Sequence, residues 1–149
     1  MSFAQVEKTG ITVEKAYMRA SIPGSDISSA YMIITNNIEK AVTLLGASSS
    51  ISPRVEIHQH TMVAELMRMR KINVIIIKAN ERVILQPSGL HLMLFDVKKP
   101  LKSKHKVELT LRFSDKKSVS LKVPVYSPMQ EKSAQEADSQ LSKMQHHHH

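Results

Sequence analysis

Hydrophobic and polar residues alternate over short stretches through most of the chain. The clearest alternation is at 107–113, where four apolar residues occupy the odd positions and polar residues lie between them. A short polar loop leads into 119–125, where apolar residues again occupy the odd positions. Such alternation is typical of a β-strand with one face in the core. Strands are predicted at 11–22, 30–35, 41–47, 54–61, 66–74, 82–86, 90–95, 107–113 and 119–125, and 75–77 either continues a strand or forms a buried crossing segment.

Turn-forming residues separate the predicted strands about every eight to twelve positions, and no stretch of 1–126 has a helical period. Many short strands at this spacing favour an all-β fold, an antiparallel Greek-key sandwich or barrel. The chain of 149 residues is long enough for one such domain, expected at 1–126. Beyond it the composition changes to Gln, Glu, Lys, Ser and Ala. We therefore expect 127–145 to be a flexible tail, or at best a loose helix, and 146–149 to be a purification tag.

The composition excludes several kinds of site. The absence of cysteine removes disulfides, zinc–thiolate sites, thiol catalysis and the cysteine-ligated blue-copper centre. The net charge of +8 suits nucleic acid, an acidic membrane surface or an acidic protein, or it is simply a solvated basic surface. Aromatic residues make up only 4%, which leaves few stacking platforms for single-stranded nucleic acid. No apolar run is long enough to span a bilayer, and an exported protein would have lost its signal peptide before Met1.

Histidines and methionines cluster between positions 58 and 93. Without the terminal histidines only four remain, and three of them lie in this stretch. His91 and Met93 are two residues apart in a run whose other members include Leu90, Leu92 and Leu94. Because successive side chains on a strand point to opposite faces, the leucines should pack inward, and the imidazole and thioether should project together from the other face. A nitrogen and a thioether side by side on a strand surface suit a soft metal ion.

The remaining histidines and methionines have alternatives. A methionine is more often a core filler than a ligand, and Met18 and Met32 are assigned to the core on that ground. Met67 either packs or serves as an auxiliary ligand, and Met62 is expected in a loop near the site. His60 shares a face with His58 and could replace it as a ligand. His105, between two lysines, is expected in a solvated turn.

The full spacing is His58, ten residues, Met69, twenty-one residues, His91, one residue, Met93. This pattern resembles the periplasmic copper chaperones of the PCuAC type, over roughly residues 11–126. The resemblance extends to Glu56, to Met69-Arg70, to Gly89 two before His91, and to Lys99-Pro100-Leu101 followed by a strand.

The resemblance implies a cupredoxin-like β-sandwich that binds copper(I), with His58, Met69, His91 and Met93 as the ligands. It favours His58 over His60. It implies an exported, periplasmic carrier, expected to be a monomer, that delivers copper to the copper-site subunit of cytochrome c oxidase or to another copper chaperone. Whether copper(II) is also bound stays open. Neutral thioethers and deprotonated imidazoles suit a soft monovalent ion that has to be released again.

Two other functional classes are weighed against the carrier. An enzyme would need a nucleophile beside a base or a pair of carboxylates, and no motif with that context is present. A non-metal interaction or adhesion module would fold without regard to metal. Basic residues around the predicted site could form a positive rim that orients docking on an acidic partner, or could be merely solvated: Arg68, Arg70, Lys98, Lys99, Lys102, Lys104 and Lys106.

Overall fold

The computed structural model describes residues 9–146, with side chains described for 9–137. Ten strands and one helix form the regular structure of that range. In chain order they are β1 Ile11–Arg19, β2 Ser28–Asn36, β3 Val42–Ser49, β4 Arg54–Val63, β5 Leu66–Ile72, β6 Ile75–Ile77, β7 Arg82–Leu85, β8 Leu90–Phe95, β9 Lys106–Phe113, β10 Ser118–Tyr126 and α1 Pro128–His146.

The strands form a single open sheet in the order β5-β4-β8-β7-β2-β1-β10-β9-β3-β6. Most neighbours are antiparallel, and the parallel pairings are β1 with β10 and β7 with β8. One hydrophobic cluster contains buried residues from both ends of this order, such as Ile57 and Leu92 from one half and Leu44 and Leu111 from the other. The two halves therefore face each other across a common core, and the predicted all-β, cupredoxin-like class is confirmed.

The β9–β10 hairpin shows how the alternation becomes a core face. Leu109 pairs with Leu121 and Leu111 with Val119, so the odd positions of both strands lie on one face. Leu109, Leu111 and Val119 are buried. Burying a large aliphatic side chain contributes about 1.5–3 kcal/mol. This face belongs to the common core, against which the half containing β4 and β8 packs.

The predicted strand at 66–74 and the segment 75–77 belong to two separate strands. β5 pairs with β4 at one edge of the sheet, whereas β6 pairs with β3 at the other edge. The chain therefore crosses the sandwich between Ile72 and Ile75. Ile77 is fully buried after the crossing.

The C-terminal segment, where we expected a flexible tail or a loose helix, is the helix α1. Its start has a capping box, because Ser127 Oγ accepts from Gln130 N at 3.2 Å and Gln130 Oε1 accepts from Ser127 N at 2.8 Å. Pro128 occupies the first helical position, where its missing N–H costs nothing. Glu131 then accepts hydrogen bonds from Tyr17 Oη at 2.9 Å and from Arg19 Nε at 2.9 Å, which ties the first turn to β1.

Within residues 9–146, no helix is both long enough and apolar enough to cross a membrane.

Candidate metal centre

The register of three neighbouring strands brings the predicted ligands onto one face. On β4, His58 lies opposite His91 of β8, and Glu56 lies opposite Met93. On the other side of β4, His60 lies opposite Met69 of β5. Directly opposed residues share a face, and so do residues two apart on one strand. The imidazoles and thioethers of the spacing motif therefore all lie on the same face of the β5-β4-β8 ribbon.

The ligand residues on β8 project together from the face opposite the leucines, as expected, but that strand surface is buried. His91 is 1% exposed and Met93 is 8% exposed, while Leu92 and Leu94 on the opposite face are fully buried. Three rings cover His91. The centroid of His60 lies 5.1 Å from that of His91, Tyr31 lies at 6.1 Å and His58 at 6.2 Å. Both faces of β8 are covered, because Leu92 and Leu94 pack in the core on one face and the three rings lie beside His91 on the other.

One ring nitrogen of His58 is hydrogen-bonded and the other has no hydrogen-bond partner. Its Nε2 lies 3.0 Å from Glu56 Oε1. The hydrogen bond with His58 lowers the pKa of Glu56, and the nearby Lys71 and Arg54 lower it further. The ionised carboxylate can only accept, so Nε2 carries a proton and donates it to Glu56. Among the buried nitrogen and oxygen atoms of the described side chains, Nδ1 of His58 is the one without a hydrogen-bond partner. A buried lone pair without a partner is costly, and a metal ion would satisfy it.

His91 has the complementary arrangement. Its Nδ1 donates to the Gly89 carbonyl oxygen at 3.2 Å, which leaves the lone pair on Nε2. Burial lowers the pKa of His91, and the neighbouring His60 and His58 lower it further, against the Gly89 hydrogen bond that raises it. The ring is therefore neutral at physiological pH, which is the form that binds metal.

The thioethers lie on either side of the paired histidines. Met93 is two residues from His91 on the same face of β8, and Met69 is diagonal to His58 across the β4–β5 pair. Side chains on diagonal positions start about 7–8 Å apart, a separation that long side chains can bridge. Met69 is 46% exposed because β5 is an edge strand. His60, directly opposite Met69, lies on the same face as His58, so the register does not separate the two histidines as ligands.

Tyr31 and Arg19 are the parts of the site that sequence reasoning missed. Tyr31 forms one wall beside His91, and the Arg19 guanidinium carbon lies 5.1 Å from the centre of the Tyr31 ring. Burial raises the pKa of Tyr31. Tyr31 reaches the site because β2 pairs with β8, with Ser29 opposite Met93. Arg19 lies on β1, which pairs with the other side of β2. That long-range pairing has no local sequence signal.

The other histidines and methionines can also be placed. Met18 and Met32 are buried in the core, as predicted. Met62 lies in β4, opposite Met67 of β5, and is not in a loop. Packing does not explain Met67, which is exposed. His105 is exposed directly after a turn, as predicted.

Two residues of the predicted basic rim do not lie on the site face. Arg68 and Arg70 alternate with Met67 and Met69 along β5, so their side chains leave from the opposite face. Lys71 is on the site face, with Nζ 3.5 Å from Glu56 Oε2.

Among the described side chains, no three histidines or carboxylates are placed to hold a metal ion together. The donors that the face offers are imidazoles combined with thioethers. That combination is typical of a site for a soft ion.

The fold is that of the PCuAC domains. The copper-bound PCuAC domain from PmoF2 is 25% identical, with a TM-score of 0.67, covering 79% of this chain and 93% of that domain. The apo solution structure of DR1885 from Deinococcus radiodurans is 26% identical, with a TM-score of 0.62 and 82% of each chain covered. Its copper(I) form is 25% identical, with a TM-score of 0.59, covering 79% of this chain and 80% of that one.

Sequence similarity identifies the family. The family described as "LpqE-like: Putative lipoprotein LpqE-like" matches residues 11–125. The "Putative lipoprotein Lxx21020" of Leifsonia xyli subsp. xyli (strain CTCB07) is 33% identical over 118 residues, which are 78% of this chain and 69% of that protein. The chain belongs to the LpqE-like family.

Proposed function

We propose that this protein is a carrier of copper(I) that binds one ion through His58, Met69, His91 and Met93. The observation that carries the proposal is the buried, partnerless Nδ1 of His58, which lies across the β4–β8 pair from the neutral ring of His91. Solved copper-bound domains with the same fold support it.

The donor set accounts for the choice of ion. Copper(I) is soft and accepts sulfur and imidazole donors. Each of the four donors binds as a neutral group, so the ligands do not cancel the positive charge of the ion. The nearby negative charge is the Glu56 carboxylate, which acts through His58 Nε2. Such a site binds without the strong attraction of a thiolate, and that suits a carrier. Copper(II) is a second candidate cargo, to be tested in a separate titration without a reductant.

The placement of Met69 suggests how cargo leaves. Three of the proposed ligands are on strands inside the sheet, whereas Met69 is on the exposed edge strand. An acceptor that approaches this edge can replace the Met69 thioether first and take the ion by stepwise ligand exchange. No change of oxidation state is needed.

The proposed acceptor is a copper-site protein outside the cytoplasm, either the copper-site subunit of cytochrome c oxidase or another copper chaperone. The lipoprotein names of the family and of its Leifsonia relative support export. No catalytic turnover is assigned to the protein.

The test is a competition titration with a colorimetric copper(I) chelator under anaerobic, reducing conditions. His146–His149 must be removed first, because consecutive imidazoles bind copper by themselves. The wild-type chain should take one copper(I), and Met69→Ala combined with Met93→Ala should bind it at least tenfold more weakly, with the fold checked by circular dichroism. Met129→Ala is the matched control, since Met129 is exposed on α1. Equal affinity of the double variant and the control would refute the ligand assignment.

A further inference from the structure

The β4–β5 hairpin extends beyond the rest of the sheet. β8 pairs with β4 from Arg54 to Gln59, and the outer part of β4 pairs with β5 only. The hairpin closes through a two-residue turn, Ala64-Glu65, with φ values of 52° and 67°. Two left-handed residues are the conformation of a type I′ turn, which sets the register of both strands. Val63 is therefore held opposite Leu66, and every pair behind it is fixed.

This register places two methionines directly opposite each other. Met62 pairs with Met67, and the next pair on the same face is His60 with Met69. The N–H of His60 donates to the Gly89 carbonyl oxygen at 3.2 Å, so it points away from β5. His60–Met69 is therefore a non-hydrogen-bonded pair, and by the two-residue repeat so is Met62–Met67. Pairs of this type have the closer Cα separation, about 4.5 Å, with the side chains nearest each other.

Core packing does not explain these methionines. Met62 is 68% exposed and Met67 is 58% exposed, whereas the structural methionines Met18 and Met32 are fully buried. Exposed apolar side chains gain little from the hydrophobic effect. What the outer pair and Met69 share is a thioether sulfur on the face that also holds the histidines. The positive side chains of Arg68 and Arg70 leave from the other face, so they do not repel a cation here.

We propose that Met62 and Met67 form a second site for a soft monovalent ion, with Met69 as a ligand shared between this outer site and the inner one. Two or three neutral thioethers give a weak, exchangeable site, since no donor carries charge. The outer site is where copper(I) enters: the ion gives up the Met62 and Met67 sulfurs as it gains imidazole nitrogens, with Met69 bound throughout entry. The ion remains copper(I), and no electron moves. The transfer role rests on the proposed function, but the binding of a soft ion at the tip does not.

The experiment uses silver(I), a redox-inert soft ion, with methyl NMR of the chain labelled at the methionine methyl groups and ending at Gln145. In the wild type, the Met93 methyl should shift with the first equivalent of silver(I). The Met62 and Met67 methyls should shift with a second, weaker equivalent, and the Met129 methyl should not move. Met62→Leu with Met67→Leu keeps the apolar surface and removes only the sulfurs. This variant should keep the first equivalent and lose the second.

The two proposals fail in different ways. If Met62 and Met67 do not shift, or if the double leucine variant still takes the second equivalent, the outer site is refuted and the hairpin tip is only an apolar docking surface. If Met93 does not shift while Met62 and Met67 do, the outer site stands as a silver(I) site and the proposed carrier function is refuted. For the shared ligand, Met69→Leu should weaken both equivalents. Weakening of only one would refute the sharing.

Discussion

The carboxylate of Glu56 offers a sharp test because it contacts His58 from outside the proposed ligand set. Its Oε1 lies 3.0 Å from His58 Nε2, and the two side chains are only 15% and 13% exposed, so water screens the contact little. A carboxylate that holds the far nitrogen of a metal-bound histidine fixes the tautomer and strengthens the ligand. Loss of such a partner typically lowers metal affinity by about 10–100-fold.

Two substitutions of Glu56 separate the effect of its negative charge on copper(I) affinity from the effect of its hydrogen bond to His58. In Glu56→Gln the amide oxygen can still accept from Nε2, so the tautomer is kept and the negative charge is lost. We expect a loss near the lower end, about tenfold or ~1.4 kcal/mol. In Glu56→Ala both are lost, and the loss should approach about 100-fold. Lys71 and Arg54 lose an ion partner in both variants, but each is more than half exposed, so this costs little.

The assay is the copper(I) competition titration, with Glu108→Gln on the exposed face of β9 as the matched control. In a His58→Ala background, Glu56→Gln should have almost no further effect, because the carboxylate acts through the ring. An unchanged affinity in Glu56→Gln would contradict the assignment of His58. So would a full effect that persists in the His58→Ala background.

Three further outcomes are expected. Met32→Ala should lower the free energy of unfolding by about 2–5 kcal/mol because it opens a cavity in the core, whereas Met62→Ala should change it by no more than about 0.5 kcal/mol. Urea unfolding measures both, and equal losses would contradict the burial of Met32 and the exposure of Met62. Burial lowers the pKa of His91 in the folded state, so as pH falls through about 6.5 the unfolded chain takes up a proton first and the free energy of unfolding declines. Above that pH the contribution of His91 to stability is constant. Thermal unfolding from pH 8 to 5 should show the decline, and His91→Gln should reduce its slope. Glu131→Gln weakens the hydrogen bonds from Tyr17 and Arg19 to α1, at a cost of about 1–2 kcal/mol. This loss should speed amide exchange in the first turns of α1 by about 5–30-fold. Unchanged exchange would show that the contact does not hold the helix.

Strand alternation was sufficient to predict most of the sheet. The β9–β10 hairpin is where the pattern places it, because the odd positions of both strands pack toward the core. β8 also has the predicted bounds, although both of its faces are buried. Prediction was poorer at 66–77, where β5 is an edge strand with almost every side chain exposed, so no buried face imposes a pattern. The turn before it was missed because Ala64 and Glu65 are unusual in a left-handed turn, which normally takes glycine or asparagine.

The sequence proposes the residues of the candidate site but does not predict their surroundings. The spacing motif names four side chains, and the β4–β5 and β4–β8 registers bring them to one face. The burial of His91 depends in part on Tyr31 of β2, which reaches it through pairings that no local sequence pattern encodes. The start of α1, by contrast, could have been predicted from Ser127, Pro128 and Gln130, which form a standard capping sequence.

X-ray absorption at the copper edge, on the copper(I)-loaded chain ending at Gln145, identifies the atoms that bind the ion. We expect copper(I) with both sulfur and imidazole nitrogen neighbours, and the loss of the sulfur scattering in the variant that combines Met69→Ala with Met93→Ala. A coordination shell of nitrogen and oxygen alone in the wild type, or a sulfur shell that is unchanged in that variant, would contradict it.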